Sequence, residues 1–319
     1  MIYCTRIKAP IYRERNYKML TNNRYQKEAS MWDIVITLIS IIILVLLWVM
    51  LYDTNRFVIT SHIFSDKRIR KAARAVVLAD LHNKSYGKNN EKLLEAIAEC
   101  KPDFILVAGD IPTAKPGTSL EVAIHLMQEL GKMYPVYYGS GNHEHRLKLY
   151  PDKYGDMASR YEKALAEAGI HRLVNRHEVL EDCNITVYGS EIDRFYYKRF
   201  GVQDMKAEYL PQLLGQPSEN EYTILLAHNP DYFPKYAEWG ADLVCAGHVH
   251  GGMVQIPFLK KGVVSPNVRL FPKYDGGMFK EGRTTMLLSR GLGVHTIPVR
   301  LFNPGELLVV DFVPWEDKA

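Results

Sequence analysis

Nineteen consecutive uncharged residues, 34–52, bracketed by Asp33 and Asp53, interrupt the otherwise mixed pattern of this chain. At 1.5 Å rise per residue a helix over them is about 28 Å long, close to the roughly 30 Å hydrocarbon core of a bilayer. Trp32, Trp48 and Tyr52 stand near its ends, where interfacial aromatic residues collect. A cleaved signal peptide fits poorly, because the apolar stretch is too long and the bulky Leu51-Tyr52-Asp53 that follows offers no small-residue cleavage site. A core helix of a soluble domain seldom carries so long an uncharged run. The expected organisation is a basic tail over 1–30, an uncleaved transmembrane anchor over 31–53, a connecting segment over 54–74 and a catalytic-type domain over 75–319.

Beyond the anchor the pattern changes. Residues 57–64 alternate as a strand does. Short apolar runs rich in β-branched residues then alternate with helical patterns: strands at 75–79, 104–108 and 136–138, helices at 91–99, 120–130 and 156–168, the last ended by Gly169 as a C′ glycine. Further strands are expected around Leu173, Leu180 and Val187, at 222–227 and at 243–246, with a helical pattern over 231–238 between the last two. The final third is strand-rich (254–256, 284–288, 307–310). Continuous apolar strands interleaved with helices imply an α/β fold whose sheets are covered by helices.

A polar residue able to bind metal follows nearly every strong strand. Asp80 follows Ala79, Asp110 follows Ala108-Gly109, Asn142 follows Tyr138 by a Gly-Ser-Gly turn, His228 follows Ala227, and His248 follows Ala246-Gly247. In open α/β sheets the carboxyl ends of the strands form the rim where sites are built, so these residues are expected to converge.

Charge narrows the partners. Residues 1–30 hold seven Lys/Arg against two Glu, whereas the remaining residues hold 33 basic against 34 acidic side chains. The basic excess belongs to the tail, and the body lacks the footprint of a nucleic-acid binder. Five basic residues (Arg56, Lys67, Arg68, Arg70, Lys71) follow the span against seven before it. That bias puts the N-terminus on the cytoplasmic side and the domain outside, although a start at Met31 would remove the tail. The four cysteines are widely spaced without a CxxC, and Cys245, inside an apolar run, is expected to be a buried inert thiol.

Asp80 and His82, and again His248 and His250, stand two residues apart, a spacing that in extended chain puts both side chains on one face. The two oxygens of Asp110 suit a bridge between two cations, and Asn142 and His228 add a carbonyl oxygen and an imidazole. Mixed Asp/Asn/His ligation suits manganese, iron or zinc rather than all-oxygen calcium or magnesium shells. A lone DxH or HxH is more often a surface accident or a satisfied core histidine; the ordered set at strand ends is what carries the inference. No GxGxxG or GxxxxGK[ST] occurs, and Ser140 and Ser289 have no triad partners.

These motifs resemble those of the calcineurin-like metallophosphoesterase family over residues 75–311: D-x-H at Asp80 and His82, G-D at Gly109 and Asp110, G-N-H-E from Gly141 to Glu144, the histidine of Ala227-His228-Asn229-Pro230, and G-H-x-H from Gly247 to His250. The span, the glycine pair after His250 and the tail Ser289-Arg290-Gly291-Leu292-Gly293 are similar to a membrane-anchored bacterial branch of phosphodiesterases and UDP-diacylglucosamine pyrophosphatases. The resemblance implies a four-layer αββα sandwich and two divalent metal ions. Asp80, His82 and His250 would hold one, Asn142, His228 and His248 the other, and Asp110 would bridge them, with His143 as general acid. It also implies a metal-dependent phosphodiesterase or phosphatase acting on a phosphorylated small molecule, and the span, by confining the site to one surface, points to a lipid-linked or envelope substrate.

One departure stands out. Many members carry an acidic residue three positions after the bridging Asp to orient the histidine, whereas Thr113 and Ala114 follow Ile111-Pro112 here. Glu144 is the nearest acid in sequence. A weakly supported acid serves good leaving groups best, which points to activated diesters or pyrophosphates. His145 and His295 are expected to be loop histidines, and the stretch from Arg194 to Arg199 a packing or rim segment. The rival of a different class is a catalytically silent scaffold of the same fold, which would typically have lost His143 or a ligand; this chain keeps all eight.

Overall fold

In the computed structural model the described residues are 12–198, 201–259, 261–265, 269–294 and 298–315. The chain divides into two compact units after Val49. The first belongs to helix α1 (Tyr12–Thr54), whose segment Ser30–Thr54 is long and apolar enough to cross a membrane. Many of its apolar side chains, among them Trp32, Ile34, Leu44 and Trp48, stand more than half exposed.

The second unit alternates strands and helices. In chain order they are β1 (Phe57–Asp66), β2 (Ala73–Leu78), α2 (Glu91–Cys100), β3 (Phe104–Val107), α3 (Glu121–Met133), β4 (Val136–Gly139), α4 (Asn142–Leu149), α5 (Pro151–Tyr154), α6 (Met157–Glu167), β5 (His171–Leu173), β6 (Arg176–Leu180), β7 (Ile185–Ser190), α7 (Tyr209–Leu214), β8 (Tyr222–Ala227), α8 (Phe233–Trp239) and β9 (Leu243–Ala246). A small hairpin of β10 (Val254–Ile256) and β11 (Lys261–Val264) follows, then β12 (Gly277–Glu281), β13 (Thr284–Leu288) and β14 (Gly305–Pro314).

Two six-stranded sheets result, ordered β1-β14-β2-β3-β4-β5 and β12-β13-β9-β8-β7-β6. Side-chain alternation along each strand sorts the core into layers. On β2, Ala75 and Val77 point between the sheets with Leu106, Ile224 and Cys245, while Val76 and Leu78 point outward under α2, α3 and α6 with Leu93, Ile97, Leu126 and Leu165. On β8 and β9, Ile224, Leu226, Leu243 and Cys245 face inward, whereas Leu225, Ala227, Val244 and Ala246 face outward to Phe233, Tyr236 and Trp239 of α8. This is the αββα sandwich expected from the sequence. Both faces of these strands are covered, which is why they read as continuous apolar runs.

The segment after α1 is more than a connector. β1 pairs in parallel with β14 over ten residues, from Phe57↔Gly305 to Asp66↔Pro314, and so forms one edge of the first sheet. β2, β3 and β4 run parallel, as do β7, β8, β9 and β13. Their carboxyl ends feed the loops that build the site.

Candidate metal centre

Three loops from the first sheet and two from the second carry the residues singled out in the sequence. Asp80 and His82 follow β2, Asp110 follows β3, Asn142 and His143 open α4 after β4, His228 follows β8, and His248 and His250 follow β9. Asp80 Oδ1 lies 3.3 Å from His250 Nε2, 3.8 Å from His82 Nε2 and 3.7 Å from His228 Nε2. Asp110 Oδ2 lies 3.0 Å from His228 Nε2 and 3.9 Å from both His82 Nε2 and His143 Nε2. The His82 and His250 Nε2 atoms approach to 3.1 Å, and one donor atom each of Asp110, His228 and His248 lies within 4.8 Å of the others.

The backbone achieves this differently from the extended geometry expected of DxH and HxH. Asp80 (φ 51°), His82 (φ 49°), Asp110 (φ 57°), His248 (φ 75°) and His250 (φ 54°) all adopt the left-handed region, at about 1–2 kcal/mol each for a residue with a Cβ. Hydrogen bonds hold them there. The Asp80 and His82 amides donate to Gly109 O and Asp110 O at 3.0 and 3.1 Å, the His248 amide to Asp80 Oδ2 at 2.9 Å, and the Leu292 amide to Ala79 O at 3.0 Å. Two glycines give the carboxylates room: a Cβ at Gly141 would collide with Asp110 Oδ1, and one at Gly247 with Asp80 Oδ2.

Electrostatics follow from burial of opposed charges. Burial opposes ionisation of Asp80 and Asp110, yet the surrounding imidazoles outweigh it and hold both carboxyls below the usual range. Burial likewise works against a charged His228, but Asp110 and Asp80 prevail and push its imidazole up to about 10. His248, buried beside that cation, is pushed down to about 3, and burial also lowers His82 and His143.

The donor set fits divalent transition-metal ions. Two carboxylates and four imidazoles form overlapping clusters whose donor atoms lie close enough to share an ion, and Asn142 Oδ1, at the start of α4, is buried without a hydrogen-bond donor. An amide oxygen left so is costly unless something electropositive meets it.

His143 gains support that sequence did not reveal. Its Nδ1 accepts the Ala114 amide at 2.7 Å, at the place where an acidic side chain was missing. Glu144 turns away from that histidine. Its Oε2 accepts from the amides of Asp110 and Gly141, both at 3.0 Å, and its Oε1 from the Ile111 amide at 3.0 Å and the Tyr138 hydroxyl at 2.5 Å. One carboxylate thus clamps the β3 and β4 loops together. The legible signal was a Glu at the third position of α4, reaching back to the N-cap amide as in a capping box. Burial, then repulsion from Asp110, raises its carboxyl to about 7.

Arg300 was missed entirely. Only 2% exposed, it donates to the carbonyls of Arg290, Gly291 and Asn303 at 2.8, 3.0 and 3.2 Å and to Gly293 at 2.9 Å, fixing the 289–293 loop that packs on Asp80. Asn303 donates to His250 O at 2.7 Å. Tyr197 packs its ring 5.5 Å from His248, and Arg194 stacks on Tyr150 at the rim. His145 lies 4.0 Å from Glu191, outside the cluster of candidate ligands. His295 and Arg199 fall outside the described residues.

A family model for calcineurin-like phosphoesterases matches residues 73–252, more than half of the chain. The chain is 27% identical over 253 residues to the uncharacterised metallophosphoesterase YkuE of Bacillus subtilis, covering 74% of this chain and 77% of that protein. It is 26% identical over 251 residues to the uncharacterised metallophosphoesterase Cj0846 of Campylobacter jejuni, covering 76% of this chain but 60% of that protein. It is 24% identical over 225 residues to phosphodiesterase YaeI of Escherichia coli, covering 69% and 75%. The chain belongs to the calcineurin-like phosphoesterase family and is a metal-dependent hydrolase of phosphate esters.

Proposed function

We propose that this chain hydrolyses a phosphodiester or pyrophosphate with two divalent transition-metal ions, manganese, iron or zinc. Asp80, His82 and His250 would hold one ion, Asn142, His228 and His248 the other, and Asp110 would be shared between them. The observation that carries this reading is the convergence of the Asp80, His82, Asp110, His228 and His250 donor atoms, with neighbours at 3.0–3.9 Å, from loops of both sheets. Such a pair, when bound, lowers the pKa of a bridging water and stabilises the entering and leaving oxygens of an in-line displacement.

The chain's own groups do the rest. Glu144 holds the Asp110 and Asn142 loops in register through three amides. His143, with Nδ1 occupied by the Ala114 amide, carries its proton on Nε2, the nitrogen that faces Asp110 Oδ2 at 3.9 Å. That Nε2–H is available to the leaving oxygen. Because an imidazolium would set an Nδ1–H against the Ala114 N–H, His143 works best as a neutral donor. A neutral imidazole N–H is a weak acid, so the site favours leaving groups that need little protonation, a phosphate or a phenolate over an alkoxide.

The apolar segment of α1 supports a single-pass membrane anchor, and the basic excess before it supports an extracytoplasmic domain. An anchored site samples lipid headgroups at high local concentration, which favours a lipid-linked substrate such as a UDP-diacylglucosamine-like pyrophosphate. The test is hydrolysis of aryl methyl phosphates across a leaving-group series with added manganese. The rate is expected to fall steeply as leaving-group pKa rises and to vanish on chelation. A flat dependence would refute the role given to His143, and chelator-insensitive turnover would refute the metal mechanism.

A further inference from the structure

On the His143 side the candidate metal centre opens into a cavity of 510 Å³. His82 and His143 are in its lining, with Lys115, Arg146, Lys153 and Tyr154 beside small and apolar residues such as Thr113 and Pro116. A volume of that size suits part of a small-molecule substrate. Its charge is one-sided. Among the described residues no carboxylate lies within ion-pair distance of Lys115, Arg146 or Lys153, whereas other cations of this domain find one: Arg74 with Asp311 at 2.6 Å, Arg269 with Asp231 at 2.6 Å, Arg68 with Asp242 at 2.8 Å.

Arg146 is also held in place. It stands three residues after His143 on α4, so both side chains leave the same face of the helix. Its Nη2 donates to the Tyr154 hydroxyl at 2.8 Å, and its guanidinium carbon lies 5.9 Å from the centre of that ring. Lys153 Nζ lies 5.6 Å from the same ring centre. Tyr154 itself is only 4% exposed and packs into the core with Tyr161 and Leu147, so the tyrosine is a fixed post. One bond to the post leaves most of the guanidinium donors uncommitted, in the planar fork that matches a carboxylate or phosphate.

We infer that this cavity is an anion subsite for the leaving half of the substrate, with Arg146 as its principal contact and Lys153 and Lys115 as supporting charges. The inference rests on the function proposed above, since His143 marks the leaving-group side. The substrate class it names is a phosphodiester or pyrophosphate whose departing half carries an anionic group of its own, a second phosphate or a carboxylate. A neutral alcohol or phenol would leave three cations facing one cavity without a counter-charge. Tyr154 is a positioning residue: it aims Arg146 without touching the substrate.

The test compares matched esters on the full-length chain with manganese: methyl 4-nitrophenyl phosphate, methyl 3-carboxy-4-nitrophenyl phosphate, and dimethyl diphosphate, whose departing half is itself a phosphate. The anionic-to-neutral ratio of kcat/KM is expected to fall about tenfold or more in Arg146→Gln, mainly through KM, to recover in part in Arg146→Lys, and to fall less in Tyr154→Phe. The anion showing the larger Arg146 dependence identifies the preferred group. A binding readout needs no turnover: the product 5-hydroxy-2-nitrobenzoate should bind the metal-free chain at least about tenfold more weakly after Arg146→Gln. A ratio that moves less than that in both Arg146→Gln and Lys153→Gln overturns the subsite. If the wild-type chain shows no chelator-sensitive hydrolysis of the neutral ester, the proposed function fails instead, and the product-binding comparison alone decides the subsite.

Discussion

Replacing Glu144 by glutamine isolates what one buried carboxylate does for this site. In the wild type, Oε2 accepts two amides and Oε1 accepts one amide and the Tyr138 hydroxyl. The glutamine amide nitrogen fits best in the Oε1 position, where it can donate to Tyr138, whose own hydroxyl then turns to Tyr161 at 3.1 Å. The Ile111 N–H is left facing a donor, a loss of about 1–3 kcal/mol for one buried unsatisfied group. Against that stands the charge. Burial and Asp110 raise the Glu144 carboxyl from 4.5 to about 7. At roughly 1.4 kcal/mol per pKa unit, ionising it in the metal-free fold costs about 3 kcal/mol. The folded state keeps this proton longer than the unfolded chain does, so the stability it contributes is present at low pH and is lost as pH rises from 4.5 through 7. Glutamine has no such slope. Urea unfolding of the metal-free chain in detergent, followed by tryptophan fluorescence from pH 5 to 8, should show the variant about 1–3 kcal/mol weaker at pH 5 and the gap closing or reversing by pH 8. Asp80, Asp110 and the histidines titrate in both proteins and cancel in the difference. With metal loaded, cations beside Asp110 offset its repulsion and the two curves should run parallel. Parallel curves in the metal-free proteins would refute the reasoning.

Three further outcomes are expected. His143→Ala should keep its metal content while turnover falls by about 10²–10⁴, most for poor leaving groups, and equal losses across a leaving-group series would contradict the role given to its Nε2–H. Arg300→Met should strip donors from the carbonyls of Arg290, Gly291, Gly293 and Asn303 and lower the stability read from the urea midpoint by roughly 3–5 kcal/mol; Arg300→Lys should recover only part of it, lacking the fork. Removal of residues 1–52, which takes away the apolar span but keeps Asp53 and β1, should leave a soluble chain that hydrolyses water-soluble aryl esters normally but is slower on substrates in vesicles; retention of the truncated chain by vesicles would argue against α1 as the anchor.

Much of the site was legible because chemistry and fold coincide at strand ends. Short continuous apolar runs such as Phe104–Val107 and Tyr222–Ala227 read as covered strands, and a ligand-type residue just beyond each then marks the rim. The backbone of the rim was not legible. Asp80, His82 and His250 sit in left-handed loops held by carbonyls of the β3 loop, by amides of the β9 and β13 loops and by the Asn303 side chain, and no local pattern encodes those distant bonds. Helix α4 hid for the opposite reason: Asn142–Leu149 is polar nearly throughout, with Leu147 as its one buried aliphatic side chain. The β1–β14 pairing joins segments nearly 250 positions apart, a separation that periodicity cannot see. Arg300 left no trace either, since a caged arginine and a solvated loop arginine look alike in one sequence.

Elemental analysis of the purified chain after loading with manganese or zinc bears most directly on the central claim. Two ions per chain are expected in the wild type and in His143→Ala, with Asp110→Asn losing both the second ion and turnover. A wild-type chain that takes up no transition metal, or that hydrolyses aryl phosphodiesters undiminished in excess chelator, would contradict it.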